Sequence, residues 1–129
     1  MPYAAAYAPD ASLPALFTEV VRAHAGAAAL AWGEERLTYG ELDARANRLA
    51  RHLQGFGVRP GDRVGVSLER SAALVTALLA VLKAGASYVP LAPAYPAERR
   101  AFMRRDAGLA ALVAARAADA GVEAGERAR

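Results

Sequence analysis

The sequence predicts an α/β fold: a short β-hairpin followed by a β-α-β-α-β parallel-sheet unit. Three observations carry that prediction. Residues 63–113 alternate short apolar runs with longer helical stretches, and crossovers of this kind make parallel strands with right-handed connections. Two short runs on either side of Gly33 and Glu34 read as a tight hairpin. Glycine and proline mark the ends of these segments, at Gly26, Gly55, Gly57, Pro60, Gly61, Gly85 and Pro96.

The elements follow in order. Residues 1–12, with Pro2 and Pro9, read as a linker or disordered lead-in. Ser12 is a candidate N-cap with Pro14 tolerated in the first turn. Leu13, Leu16, Phe17, Val20, Val21 and His24 then repeat at helical spacing and define one apolar face, and Gly26 ends the helix. The hairpin pairs 28–32 with 35–37. Thr38 begins the next helix as its N-cap, and Glu41 completes a capping box while Leu37 and Leu42 form a hydrophobic staple. This helix, 39–54, places Leu42, Ala46, Leu49, Leu53 and Phe56 on one side and His52 on the solvated flank beside Arg45 and Arg48.

Arg59-Pro60-Gly61-Asp62 has the residues of a type II turn, and 63–68 is the first parallel strand. In the helix over 72–84, Thr76 is the only non-apolar residue before Lys83, and Gly85 closes it in a left-handed conformation. A buried strand at 87–91 leaves through Pro90, Pro93 and Pro96, which are expected to end ladder pairing. Pro96 opens a helix over 97–107, and 109–113 is the last strand. Residues 116–129 are alanine, glycine and charge, and are expected to fray. A helix apolar on every side needs cover on every side, so 72–84 suggests a missing layer of protein or an exposed patch.

Composition narrows the function. A length of 129 residues fits one domain, and 55% hydrophobic content excludes general disorder, although alanine inflates the figure. The absence of cysteine removes disulfide, zinc-thiolate and thiol-nucleophile chemistry and suits the cytoplasm. The N-terminus lacks the pattern of a signal peptide, and 72–82 falls short of the roughly 20 apolar residues that span a bilayer. No membrane is expected as a partner. The net charge of +3 comes from scattered arginines among 13 acids with no stacking platform beside them, so no nucleic-acid partner is expected either.

No run of residues carries recognisable chemistry. Gly55 and Gly57 have the wrong spacing for a phosphate or dinucleotide loop and lead into a strand. Gly65-Val-Ser67-Leu-Glu69 resembles a nucleophile elbow for three residues, but Glu69 replaces the required last glycine. Glu34 and Glu35 are adjacent, which sends them to opposite sides of a strand. No histidine and carboxylate group has metal-ligand spacing.

Three motifs nevertheless resemble a family. The run 82–96, Leu-Lys-Ala-Gly-Ala-Ser-Tyr-Val-Pro-Leu-Ala-Pro-Ala-Tyr-Pro, is similar to the second core motif of adenylation domains in nonribosomal peptide synthetases, usually written L-K-A-G-x-A-Y-V-P-L-D-P-x-Y-P. Leu-Thr-Tyr-Gly-Glu-Leu at 37–42 resembles the first core motif, and Gly-Val-Arg-Pro-Gly-Asp-Arg-Val at 57–64 resembles the connector between them. The resemblance implies a partial AMP-binding domain over 13–115, with a frayed tail at 116–129. It implies a parent that activates an amino acid with ATP and magnesium to aminoacyl-AMP and passes it to a phosphopantetheinyl carrier protein. The family's phosphate loop, adenine contact, ribose-binding aspartate, catalytic lysine and amino-acid pocket all fall beyond residue 129. The resemblance therefore assigns no catalytic, cofactor-binding or metal residue here, and Lys83 is not the catalytic lysine. Ala92 stands where aspartate is usual, and Arg100 and Arg104 where leucine is usual. The expected function is that of an N-terminal adenylation-domain piece, inactive alone and partnered by the rest of its domain or synthetase. The alternatives are a noncatalytic docking module for another synthetase chain, with the 72–84 helix in its docking surface, or a functionless truncated product.

Overall fold

The computed structural model describes residues 12–93, 96–116 and 119–124. The expected lead-in therefore lies outside the described residues except for Ser12, as do 117–118 and 125–129 of the expected tail. Helix α1 spans Leu13–His24, with the Ser12 hydroxyl accepting from the Ala15 amide at 3.2 Å. Strands β1 (Ala28–Trp32) and β2 (Glu35–Thr38) form an antiparallel hairpin. Helix α2 runs Tyr39–Gly55, followed by β3 (Arg63–Ser67), α3 (Ala72–Lys83) and β4 (Ser87–Pro90). Helix α4 (Ala97–Ala107), β5 (Ala111–Arg116) and β6 (Asp119–Ala124) complete the described chain. The main sheet has the order β4-β3-β5-β6, with β3 parallel to both β4 and β5 and with β6 antiparallel to β5. The α/β reading is correct.

Alternation along β3 divides the core. Val64 and Val66 point to one face and pack with Ala77, Ala80 and Val81 of α3 and with Ala50 and Leu53 of α2. Gly65 points to the other, where Leu91, Leu109 and Leu112 cluster with Met103 and Ala107 of α4. Helices thus cover both faces of the parallel strands, as βαβ connections require. A third cluster joins Leu37, Leu42 and Ala72 to Phe17, Leu30, Val75 and Leu79, seating α1 and the hairpin against α2 and α3.

The expected exposed patch on α3 is reduced but its cover is incomplete: the sheet, α2, α1 and the hairpin pack against the helix and leave none of its residues exposed, while Leu74, Leu78 and Leu82 along one side stay half-buried. The hairpin and α1 supply part of that cover through Leu30, Leu37 and Phe17.

Several smaller expectations also change. The last strand begins at Ala111 instead of Leu109, because β3 sets its register through Val64 opposite Ala111. Leu109 and Ala110 form the buried entry to it, and the Ala110 amide donates to the Arg63 carbonyl at 2.8 Å. Residues 119–124, expected to fray, form β6 on the backbone of β5. Strand β4, expected to be buried, is the sheet edge, with Tyr88 exposed and only Val89 half-buried. Pairing also continues one residue past Pro90, where the Leu91 amide donates to the Val66 carbonyl at 2.9 Å. Ser87 and Leu91 donate toward β3, so Pro90, an odd step away from both, loses no bond to that strand. Finally, α1 buries no residue fully, and Phe56 at the end of α2 is 41% exposed.

Candidate functional site

The residues of the three motifs build the joints of this fold. In the first motif, the Thr38 hydroxyl accepts from the Glu41 amide at 3.1 Å, and Glu41 Oε1 accepts from the Thr38 amide at 2.8 Å. The staple residues Leu37 and Leu42 are both buried in one cluster. The Gly40 amide donates to the Ala25 carbonyl at 2.9 Å, and a Cβ on Gly40 would approach that oxygen to 3.2 Å. The Tyr39 ring tilts against Phe17 with centroids 6.1 Å apart. The motif thus starts α2 and fastens it to the end of α1.

Hydrogen bonds from the Thr38 amide, then from its side chain, hold the Glu41 carboxyl below its ordinary value, with a smaller pull from Arg45 working against slight desolvation. A lowered folded-state pKa means that this contribution to stability is complete above the ordinary value of 4.5 and is lost as pH falls through the lowered one. Glutamine can serve the same box without titrating. The stability difference between the native chain and Glu41→Gln is therefore expected to be constant above about pH 5 and to shift in favour of glutamine below about pH 4. Denaturation midpoints across that range measure it; a difference independent of pH would reject the assignment.

The connector and the second motif share one construction. After α2, the Gly57 amide donates to the Gln54 carbonyl at 2.9 Å and the Val58 amide to the Leu53 carbonyl at 3.1 Å. After α3, the Gly85 amide donates to the Leu82 carbonyl at 3.0 Å and the Ala86 amide to the Val81 carbonyl at 3.1 Å. Both are Schellman closures, with glycine at φ +92° and +78°. The type II turn is present too, with Gly61 at φ +88° and the Asp62 amide donating to the Arg59 carbonyl at 3.0 Å. The Gly61 amide donates to the Gly85 carbonyl at 3.0 Å, so the connector turn rests on the second motif's glycine. A Cβ on Gly85 would meet Pro60 at 3.2 Å.

A polar contact between the helices was missed in the sequence. Lys83 Nζ lies 2.7 Å from Asp43 Oδ1, with the two side chains only 13% and 24% exposed. The two groups form a short ion pair between α2 and α3. Asn47 Nδ2 donates to Asp43 Oδ2 at 3.3 Å, and the Lys83 ammonium stands 5.7 Å from the centroid of the Phe17 ring. A compositional signal was available: Lys83 is the chain's only lysine among 16 lysine and arginine residues.

The remaining candidates stay apart. His24 and His52 are exposed, with His52 stacked on Phe56 at 5.3 Å between centroids. Ser67 is buried at the end of β3, Glu34 lies in the hairpin turn, and Glu35 pairs with Arg45 at 3.3 Å on the surface. Among the described residues, no three His, Cys, Asp or Glu side chains gather closely enough to hold a metal ion. Ala92 is half-buried, while the side chains of Arg100 and Arg104 lie outside the described residues.

Comparison with known proteins places this architecture. A family model described as AMP-binding enzyme matches residues 17–128. The chain belongs to this AMP-binding enzyme family. One of the linear gramicidin synthase proteins of Brevibacillus parabrevis is 47% identical over 107 residues, covering 83% of this chain and 1% of its own length. The dimodular nonribosomal peptide synthase of Bacillus subtilis is 48% identical over 99 residues, covering 77% of this chain and 4% of that protein. Among solved structures, the N-terminal subdomain of Klebsiella oxytoca NpsA superposes with a TM-score of 0.74 at 28% identity, covering 85% of this chain and 29% of that one. The chain thus corresponds to the N-terminal portion of a nonribosomal peptide synthetase adenylation domain, and it spans a few per cent of the length of these curated relatives.

Proposed function

We propose that this chain acts as a structural segment of an adenylation domain, in a parent that converts an amino acid and ATP to aminoacyl-AMP and pyrophosphate. The aminoacyl group would then pass to the thiol of a phosphopantetheinyl carrier protein, with the rest of the synthetase as the chain's immediate partner and the cytoplasm as its setting. One observation carries the assignment of a structural part: Leu37, Thr38, Gly40, Glu41 and Leu42, then Gly57, Gly61 and Gly85, each close a helix, fix a turn or join two elements.

The described residues do not fit ATP or magnesium. The amides of Gly57, Gly61 and Gly85 donate to backbone carbonyls, which leaves them unable to cradle a phosphate. Lys83 faces Asp43 and Phe17. Adenylation chemistry is therefore assigned to residues outside this chain. A docking role through the 72–84 helix would have to use the half-buried side carrying Leu74, Leu78 and Leu82.

Two measurements test the proposal. The isolated chain is expected to show no amino-acid-dependent ATP–pyrophosphate exchange. Tyrocidine synthase 3, 48% identical over 101 residues, provides a host in which the matching segment can be replaced by this chain. The chimera is expected to keep exchange within about tenfold of the host, because the altered segment contributes packing and not reacting groups. Its amino-acid preference should not change. Exchange by the isolated chain, or a folded chimera with altered preference, would overturn the proposal.

A further inference from the structure

We infer that Lys83 is a positioning residue whose ammonium group fastens α1 to the α2–α3 pair, and that arginine cannot replace it. Helix α1 buries none of its residues, so little apolar packing holds it. Its one aromatic side chain, Phe17, reaches the helix pair and meets two groups there: the Tyr39 ring at 6.1 Å between centroids and the Lys83 ammonium at 5.7 Å from its centroid. The same ammonium is held by Asp43 of α2 at 2.7 Å. One charged group on α3 therefore touches both other helices.

The preference for lysine follows from the carboxylate. Arginine pairs best with aspartate when its planar fork meets both oxygens. Here the cation approaches Oδ1 of Asp43, while Oδ2 accepts from Asn47 Nδ2 at 3.3 Å, so a bidentate guanidinium would have to share Oδ2 with that amide. A compact ammonium fits one oxygen and one ring face together, whereas a guanidinium is longer and planar. Composition agrees, since the other fifteen of the 16 lysine and arginine residues are arginine and the lone lysine stands at this joint.

Amide exchange of the full chain, read separately for α1 and for the β3–α3 core, tests the inference. Lys83→Arg and Lys83→Cys are each expected to speed exchange in α1 about tenfold with less change in the core. The native sequence contains no cysteine, so the introduced thiol can be alkylated selectively with bromoethylamine in denaturant to rebuild a lysine-length ammonium. Refolded aminoethylated protein should recover native α1 protection, measured against native chain taken through the same cycle. Phe17→Leu provides a second variant that retains apolar bulk and removes the ring, and it should loosen α1 alone. Native α1 exchange in Lys83→Arg or in Phe17→Leu would overturn the inference. So would aminoethylation that restores nothing, or equal loss of protection in α1 and core.

Discussion

Leu53→Ala is expected to destabilise the chain by about 3–5 kcal/mol, toward the upper end of the range for a buried leucine. Leu53 is 0% exposed and lies in the last turn of α2, where it enters the cluster between α2, α3 and the sheet. The cost of such a deletion depends on how far neighbouring side chains can relax into the void. Here half of the buried members are alanine (Ala50, Ala77, Ala80, Ala84, Ala86, Ala110 and Ala111), most of the rest are stiff valines, and the longer Leu49, Leu74 and Leu78 only flank the cluster. Alanine has no rotamer to move, so the cavity stays open. Leu53→Met, which nearly conserves volume, should cost less than about 1.5 kcal/mol. Chemical denaturation of both variants measures the difference; equal losses would mean that the cluster adapts and is not limited by its alanines.

The same alanines explain which parts of the fold were legible in the sequence. Local signals read correctly because their physics is local: the capping box at Thr38 and Glu41, the turn at Pro60 and Gly61, and the left-handed Gly85 each depend on residues within one turn of chain. Helix α4 and the hairpin were found within a residue of their bounds for the same reason. The errors came from partners distant in sequence. The start of β5 is set by Val64 across the sheet, although the apolar run at Leu109 suggests an earlier start. Strand β6 has no apolar alternation of its own and is present through backbone pairing with β5. Part of the cover over α3 comes from α1 and the hairpin, whose weak apolar patterns do not disclose which surface they meet. The Asp43–Lys83 pair joins residues on separate helices and has no local pattern. At the motifs, local chemistry explains the capping, turn and glycine residues, and family resemblance alone connects that fold to adenylation.

On the opposite face of the sheet, the limiting quantity is space. Gly65→Val is expected to cost about 3 kcal/mol or more, at or above the usual upper bound for overpacking a core. A Cβ at this position would come within 2.6 Å of Leu109 Cδ1, 3.0 Å of Leu112 Cδ1 and 3.2 Å of Leu91 Cδ1. Leucine ends can swing aside where there is room, but these three are buried to between 1% and 5% exposure. Moving them displaces the seat of α4, while moving Gly65 breaks the parallel ladders to β4 on one side and β5 on the other. Glycine is ordinarily a poor strand residue, so its place in the central strand follows from this close approach and not from β propensity. The decisive comparison is a double-mutant cycle. Leu109→Ala alone should cost about 2–5 kcal/mol by opening a cavity. Combined with Gly65→Val, it should recover about 1–3 kcal/mol of the summed loss, because valine refills the space that leucine vacates. Additive losses in denaturation midpoint would show that Leu109 does not limit this position, and that the constraint on Gly65 lies in its backbone pairing.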